Sequence, residues 1–467
     1  MTTPAAPRPA LIRTLGVRDL VLLNIVAVMS LRWMATSAAA GPSALALWVL
    51  AGLLFFVPLG LAVSEMSLRQ PEVGGIYAWT RNHLGEGHGF VAGWCYWVNN
   101  VLYPANLLIS TAAMFTYAIG RGGTGMESDW TYVVSATLVM LWLATLINIV
   151  GLQTGKWLQN IGALSSYLPG VVLIALGINA MMTQPAANTF TLETITPDLT
   201  NLGALNLWAA VAFAFSGLEL SATLSDEIKE PRRSLPRAVF ISGIMIAAVY
   251  VIGTLSVLWL IPAGEVNVVS GFLQSIDAGT RATGLQITWL VPLCALLYTI
   301  GNVGGVGAWL IGPARVAFVI GIDRYFPPAF AKVHPRWKTP YVAILVQAVL
   351  STVFLLLSVL GRGTTVERAY LILLDTMLLI YFLPFLYLFV VYMRVAGATG
   401  EPHRIRKIVT GISGFGLTLF AMIVACIPPA GTPSVLVFEL KVLGGALLFV
   451  LAGVGFYLRG SRRASGA

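Results

Sequence analysis

Charge is scarce in this sequence. Asp, Glu, Lys and Arg make up 10% of its 467 residues, against about 25% in an ordinary soluble domain, and a water-soluble fold is excluded. Cysteine and histidine are scarcer still. Cys95, Cys294 and Cys426 each fall inside an apolar run, where a thiol behaves as a small hydrophobe and has no disulfide or metal spacing. The four histidines lie outside the apolar runs, so the His and Asp ligand cluster expected of a membrane-embedded enzyme is missing. His83, Glu86 and His88 stand close together, but not at the spacing of a metal-binding helix pair. The run GNVGGVG at 301–307 lacks the strand, Lys and Ser/Thr context of a phosphate loop and reads as a place of close helix packing. Neither a metal nor any other cofactor is expected. The alternating ten-residue segments of a transmembrane β-barrel are absent as well.

What remains is long apolar runs. Hydrophobic residues form 57% of the chain, and spans of about 20 residues suffice to cross a bilayer. Twelve can be drawn, at 20–40, 43–63, 89–119, 130–150, 157–182, 205–224, 237–261, 285–320, 341–360, 369–393, 408–428 and 435–458. The first follows Arg8, Arg13 and Arg18 and runs past the length of a signal peptide, so it is retained. An even number of spans puts both termini on one side. If that side is cytoplasmic, the inside segments hold 22 of the 28 Lys and Arg, which fixes the orientation by the positive-inside rule. The net charge of +9 is therefore a matter of topology and not of nucleic-acid binding. The expected location is the cell inner (plasma) membrane.

Three ionisable residues fall well inside the spans: Arg32, Glu219 and Asp375. Each costs at least ~2.5 kcal/mol facing lipid at the bilayer centre, so each should face the bundle or a wet cavity. Pro58, Pro104, Pro169, Pro292 and Pro384 interrupt spans, and the backbone groups they free must be satisfied by protein or by a water-filled cavity. Ser216-Gly217 would let the sixth span open just before Glu219. A broken helix with an acid beside the break is a candidate substrate or proton site.

At this point the sequence resembles a family. FSGLELSATLSDEIKEPRRSLP is similar to the sixth helix and following loop of the amino acid–polyamine–organocation transporters, most like their glutamate/GABA antiporter branch. LAGLLFFVPLGLAVSEMSLRQPEVGGIYAWTRNHLGEGHGF at 50–90 and GPARVAFVIGIDRYFPPAFAKVHPRWKTPYVAIL at 312–345 resemble the same family's second-to-third and eighth-to-ninth helix regions. The resemblance implies an all-α membrane protein of about twelve helices with the LeuT-type fold. In it two inverted repeats of five helices are followed by two peripheral ones, and the first and sixth helices are unwound at mid-membrane. Its parts would be a tail at 1–17, repeats at 18–182 and 201–393, helices eleven and twelve at 394–458, and a tail at 459–467.

On that pattern the first break, Val28-Met29-Ser30-Leu31-Arg32-Trp33, would bind a substrate carboxylate through its amides, and carbonyls of both breaks would hold the amino group. The same resemblance sends Asn100 and Tyr103, Phe213, Ser216 and Gly217, and Trp309 toward the cavity, with Glu219 as proton-sensing or coupling residue. Two departures stand out. The small-residue run common at the first break is replaced, with Arg32 added: it would either meet an acidic group of the substrate or pair with Glu219 or Asp375. Ser166 stands where proton- or sodium-linked relatives often carry a lysine, which tilts the balance toward exchange. The expected function is secondary transport of a small amino-acid-like solute by alternating access. Proton-coupled uptake, a transporter-like receptor and a membrane enzyme are the rivals.

Overall fold

A backbone in lipid has no water to bond, so each spanning segment must satisfy its own N–H and C=O groups as a helix. The computed structural model of the chain describes residues 13–150, 152–198, 202–268, 270–284, 287–323, 325–359, 366–398, 401–428 and 434–465. In chain order its main helices are α1 (Val17–Val28), α2 (Arg32–Ala38), α3 (Ser43–Arg69), α4 (Ile76–Leu84), α5 (Glu86–Ala118), α6 (Trp130–Val150), α7 (Leu152–Thr183) and α8 (Leu202–Ala214). They continue with α9 (Pro231–Leu260), α10 (Gly271–Ala282), α11 (Leu290–Ile322), α12 (Tyr341–Val359), α13 (Val366–Ala396), α14 (Arg404–Ala425) and α15 (Val435–Ser465).

Every predicted span has its helix. Among the described residues ten segments are long and apolar enough to cross a membrane, and the pair α1–α2, bent by 42°, makes an eleventh. The shorter α12 stands where the ninth span is expected. The sixth span divides as predicted: α8 ends at Ala214 and a 3-10 segment, Leu218–Glu227, resumes after Phe215-Ser216-Gly217. The amphipathic α10 and the short α4 lie between spans and were not foreseen. Burial grades the bundle, since α11 is buried through its whole apolar window and α15 over only 11% of its own.

The glycine-rich run at 301–307 is a packing surface. A Cβ on Gly304 would stand 2.7 Å from Gly162 Cα, and one on Gly301 would stand 2.2 Å from Ser166 Oγ, so α7 and α11 meet backbone to backbone. The prolines are absorbed individually. Pro58 leaves the Leu54 carbonyl without its helical donor, and Ser413 Oγ donates to it at 3.0 Å. Pro292 interrupts nothing, because it sits in the first turn of α11, where no intrahelical bond is lost. Pro313, which the pattern of runs did not single out, lies in the helix interior instead.

Buried charge is not confined to Arg32, Glu219 and Asp375. Arg315, near the end of the span drawn at 285–320, is 1% exposed and grips Glu227 through two bonds, Nε to Oε1 at 2.5 Å and Nη2 to Oε2 at 3.1 Å. The apolar helix runs on to Ile322, so Arg315 lies about two turns inside it. The Glu227 carbonyl in turn accepts the amides of Thr14 and Leu15, which ties the start of the described chain to the second half of the sixth span. A surface network joins Glu65 and Arg69 of α3 to Glu401 and Lys407. Lys407 and then Arg69 hold the Glu401 carboxyl below the ordinary carboxylate range. His83, Glu86 and His88 each bond elsewhere, to Gln70, Tyr325 and Tyr387 respectively.

Candidate binding site between two broken helices

Both breaks meet at one cavity. It is lined by Ala27, Val28, Trp33, Asn99, Tyr103, Phe213, Ala214, Ser216, Trp309 and Tyr381, and its volume of about 10 Å³ has room for about one water molecule. Five of its lining residues form an arc of rings. Trp33 meets Phe213 edge to face at 5.8 Å, Phe213 meets Tyr381 at 5.6 Å, Tyr381 meets Trp309 at 6.0 Å and Trp309 meets Tyr103 at 5.3 Å. Arg32 closes the circle, its guanidinium 4.5 Å from the Trp33 ring centroid and 5.9 Å from that of Tyr103. The rings are closed on one another here, and a solute admitted as they part would be wrapped by aromatic faces, which exclude water and attract the positive end of a small amine.

The expected site residues divide into two layers. Val28, Trp33, Tyr103, Phe213, Ser216 and Trp309 line the cavity. Met29, Ser30, Arg32, Asn100, Gly217 and Glu219 stand behind it. Asn100 is a register correction: its side-chain amide turns back onto the Tyr96 carbonyl at 2.6 Å, and the neighbouring Asn99 lines the cavity. Successive residues of a helix point about 100° apart, so only one of the two asparagines can face inward. Ala27, Asn99, Ala214 and Tyr381 were missed; the first three adjoin predicted residues, but nothing local marks Tyr381.

Arg32 is 1% exposed and donates from Nη1 to Asn106 Oδ1 at 2.9 Å. The expected alternative of an Arg32–Glu219 pair is overturned, since Glu219 has other partners. Its Oε2 accepts the Gly217 amide at 3.0 Å, and its Oε1 accepts the Tyr381 hydroxyl and, at 3.4 Å, that of Tyr96. Gly217 permits this turn with φ of 126°, a conformation a side chain would strain, and a Cβ there would press on Val28 at 2.9 Å and Trp309 at 3.1 Å. Glu219 therefore reaches the cavity only through Tyr381, whose ring is part of the wall.

The polar backbone of the breaks is already occupied from within. Tyr250 OH accepts the Ser30 amide at 3.1 Å, donates to the Val28 carbonyl at 2.7 Å, and lies 3.2 Å from the Ala214 carbonyl. Trp309 Nε1 donates to the Ala27 carbonyl at 3.0 Å. Ser216 Oγ donates to the Phe213 carbonyl at 2.5 Å. The Ser30 amide and the Ala27, Val28, Phe213 and Ala214 carbonyls, at or beside the breaks, are thus bonded to side chains here. Tyr250, stacked on Trp48 at 4.5 Å and wholly buried, links the two breaks and was not found from sequence.

The sequence model of a family described as amino acid permease matches residues 15–439. An uncharacterized transporter of Legionella pneumophila is 32% identical, covering 94% of this chain and 95% of its own. A protein of Lactococcus lactis named "Probable agmatine/putrescine antiporter" is 23% identical over 92% of each chain, and that organism's glutamate/gamma-aminobutyrate antiporter is 24% identical over 82% of this chain and 77% of its own. Among solved structures, MhsT in complex with L-phenylalanine superposes with a TM-score of 0.64 at 15% identity, covering 90% of this chain and 99% of that one. The fold shared with it is the LeuT-type fold.

Proposed function

The chain belongs to the amino acid permease family, and from that premise we propose that it is a secondary transporter that exchanges amino acids or closely related amines by alternating access through the cavity between the two breaks. The observation that carries this is the meeting of both broken helices at one aromatic-walled cavity. Interrupted helices buried in protein are where carriers of this architecture place their substrate. The relatives named as antiporters for glutamate and GABA and for agmatine and putrescine support amino acids and their decarboxylated amines as the solute class. Exchange is favoured over ion-driven uptake by Ser166, which is 4% exposed and wedged against Gly301, leaving no ammonium at that position.

Glu219 is the coupling residue in this proposal. Its carboxylate touches the cavity through Tyr381, so a change in its protonation moves a wall of the site. The two inverted repeats are taken as 18–182 and 201–393, with 394–458 peripheral. The protein sits in the cell inner membrane with both termini in the cytoplasm, as the Lys and Arg distribution favours.

Flux into proteoliposomes tests this. Radiolabelled L-glutamate, GABA, L-serine and putrescine are offered to vesicles that are empty or preloaded with the same unlabelled solutes. Exchange requires uptake only into loaded vesicles; equal uptake into empty ones refutes obligatory exchange and leaves proton-coupled uptake. Replacing Glu219 with Gln flattens the pH profile of the flux, and an unaltered profile removes Glu219 from the mechanism.

A further inference from the structure

Two helices with an internal proline supply adjoining parts of the cavity wall, and one side chain outside the cavity serves both. Pro104 lies in the interior of α5 and Pro313 in that of α11. Neither has an N–H, so the carbonyls four residues earlier, Asn100 O and Trp309 O, lose their helical donors. Water is excluded from both places, as Asn100 is wholly buried and Trp309 is 4% exposed. An unmet carbonyl there is costly. Gln347 of α12 answers both: its single Nε2 donates to Asn100 O at 2.9 Å and to Trp309 O at 2.9 Å. An amide nitrogen carries two hydrogens, so its capacity is fully used. One turn on, Ser351 Oγ donates to Val101 O at 2.7 Å, extending the seam along α5.

The pairing is specific in length and in chemistry. Asparagine is a methylene shorter, and glutamate has no hydrogens to give in its charged form. The two carbonyls belong to the turns that carry Asn99 and Tyr103 on one side and Trp309 itself on the other, all facing the cavity. The Tyr103 and Trp309 rings rest on each other at 5.3 Å, so a shift of either helix alters the shape of the wall. We propose that Gln347 is a positioning residue for solute binding: by donating to both proline-freed carbonyls it fixes the relative placement of α5 and α11, and with it the Tyr103–Trp309 wall. The inference rests on the cavity being the solute site.

The prolines themselves provide the test. Four full-length chains are compared: the parent, Gln347→Leu, Pro104→Ala/Pro313→Ala, and the triple variant carrying all three changes. Leucine removes the amide at similar volume, while alanine at 104 and 313 restores the N–H groups that would bond Asn100 O and Trp309 O within their own helices. Each is assayed for its unfolding midpoint and for the half-saturating concentration of L-glutamate, GABA, L-serine or putrescine, whichever the parent moves. Gln347→Leu lowers the midpoint and raises the half-saturating concentration about tenfold, with a smaller change in maximal rate, and the triple variant returns both to within about twofold of the parent. A Gln347→Leu chain that binds solute as the parent does, or a triple variant as impaired as Gln347→Leu, overturns the proposal. Should Gln347→Leu fail to fold, a well-folded triple variant supports the pin and a misfolded one refutes it. If the parent moves none of the four solutes, the choice of these solutes fails by itself. The pin is then judged by the midpoints and by maleimide labelling of Tyr103→Cys in the four chains without solute: faster labelling in Gln347→Leu alone supports it, and equal labelling overturns it.

Discussion

Replacing Tyr250 with phenylalanine isolates one hydroxyl at the junction of the two breaks. The ring survives the change, so its stacking on Trp48 at 4.5 Å and its edge contact with Phe215 at 5.6 Å are retained. What is lost is the acceptor for the Ser30 amide and the donor to Val28 O. Each such group, unmet in a buried place, costs about 1–3 kcal/mol in soluble proteins, while hydrogen bonds inside membrane bundles average nearer ~0.6 and reach ~1.7 kcal/mol. Taking the membrane figures for two groups, Tyr250→Phe should destabilise the chain by about 1–3 kcal/mol, roughly a 5- to 150-fold shift in the folding equilibrium. Reversible unfolding in mixed micelles by increasing SDS measures this. A variant within ~0.3 kcal/mol of the parent, the scatter expected of independent sites, would show that Tyr250 does not brace the breaks. An added amino acid that restores the lost stability would show further that the freed groups accept a ligand.

Two other perturbations follow from buried geometry. Breaking the Arg315–Glu227 pair one-sidedly, as Glu227→Ala, strands a guanidinium that is 1% exposed and should cost about 3–5 kcal/mol, whereas converting both residues to Met should cost far less; a double variant no better than the single one would refute a buried pair. Gly304→Ala places a methyl 2.7 Å from Gly162 Cα and should destabilise by about 1–3 kcal/mol through overpacking, while Gly444→Ala in α15, which meets nothing within 4 Å, should leave the unfolding midpoint unchanged in the same assay.

The spans were legible because hydrocarbon imposes one requirement on every segment, and the same requirement made prolines and buried charges visible as exceptions. Gly217 and Glu219 marked the sixth-span break for that reason. The first break carries no glycine and was found only by resemblance. Asn99 and Asn100 could not be ranked from composition, because one helical step separates a cavity residue from a packing one. Tyr381, Tyr250 and Gln347 left no local trace, since each acts on a carbonyl, an amide or a carboxylate more than a hundred residues away in the chain.

The sequence by itself determined that this is a helical membrane protein, where its spans lie and that the sixth of them breaks, because the solvent dictates those through local composition. Only the tertiary structure decided which side chains occupy the exposed backbone of the breaks, that Arg32 braces aromatic rings while tyrosines hold Glu219, and that one glutamine serves two prolines. Those are pairings between distant residues, and their geometry exists only once the helices are packed.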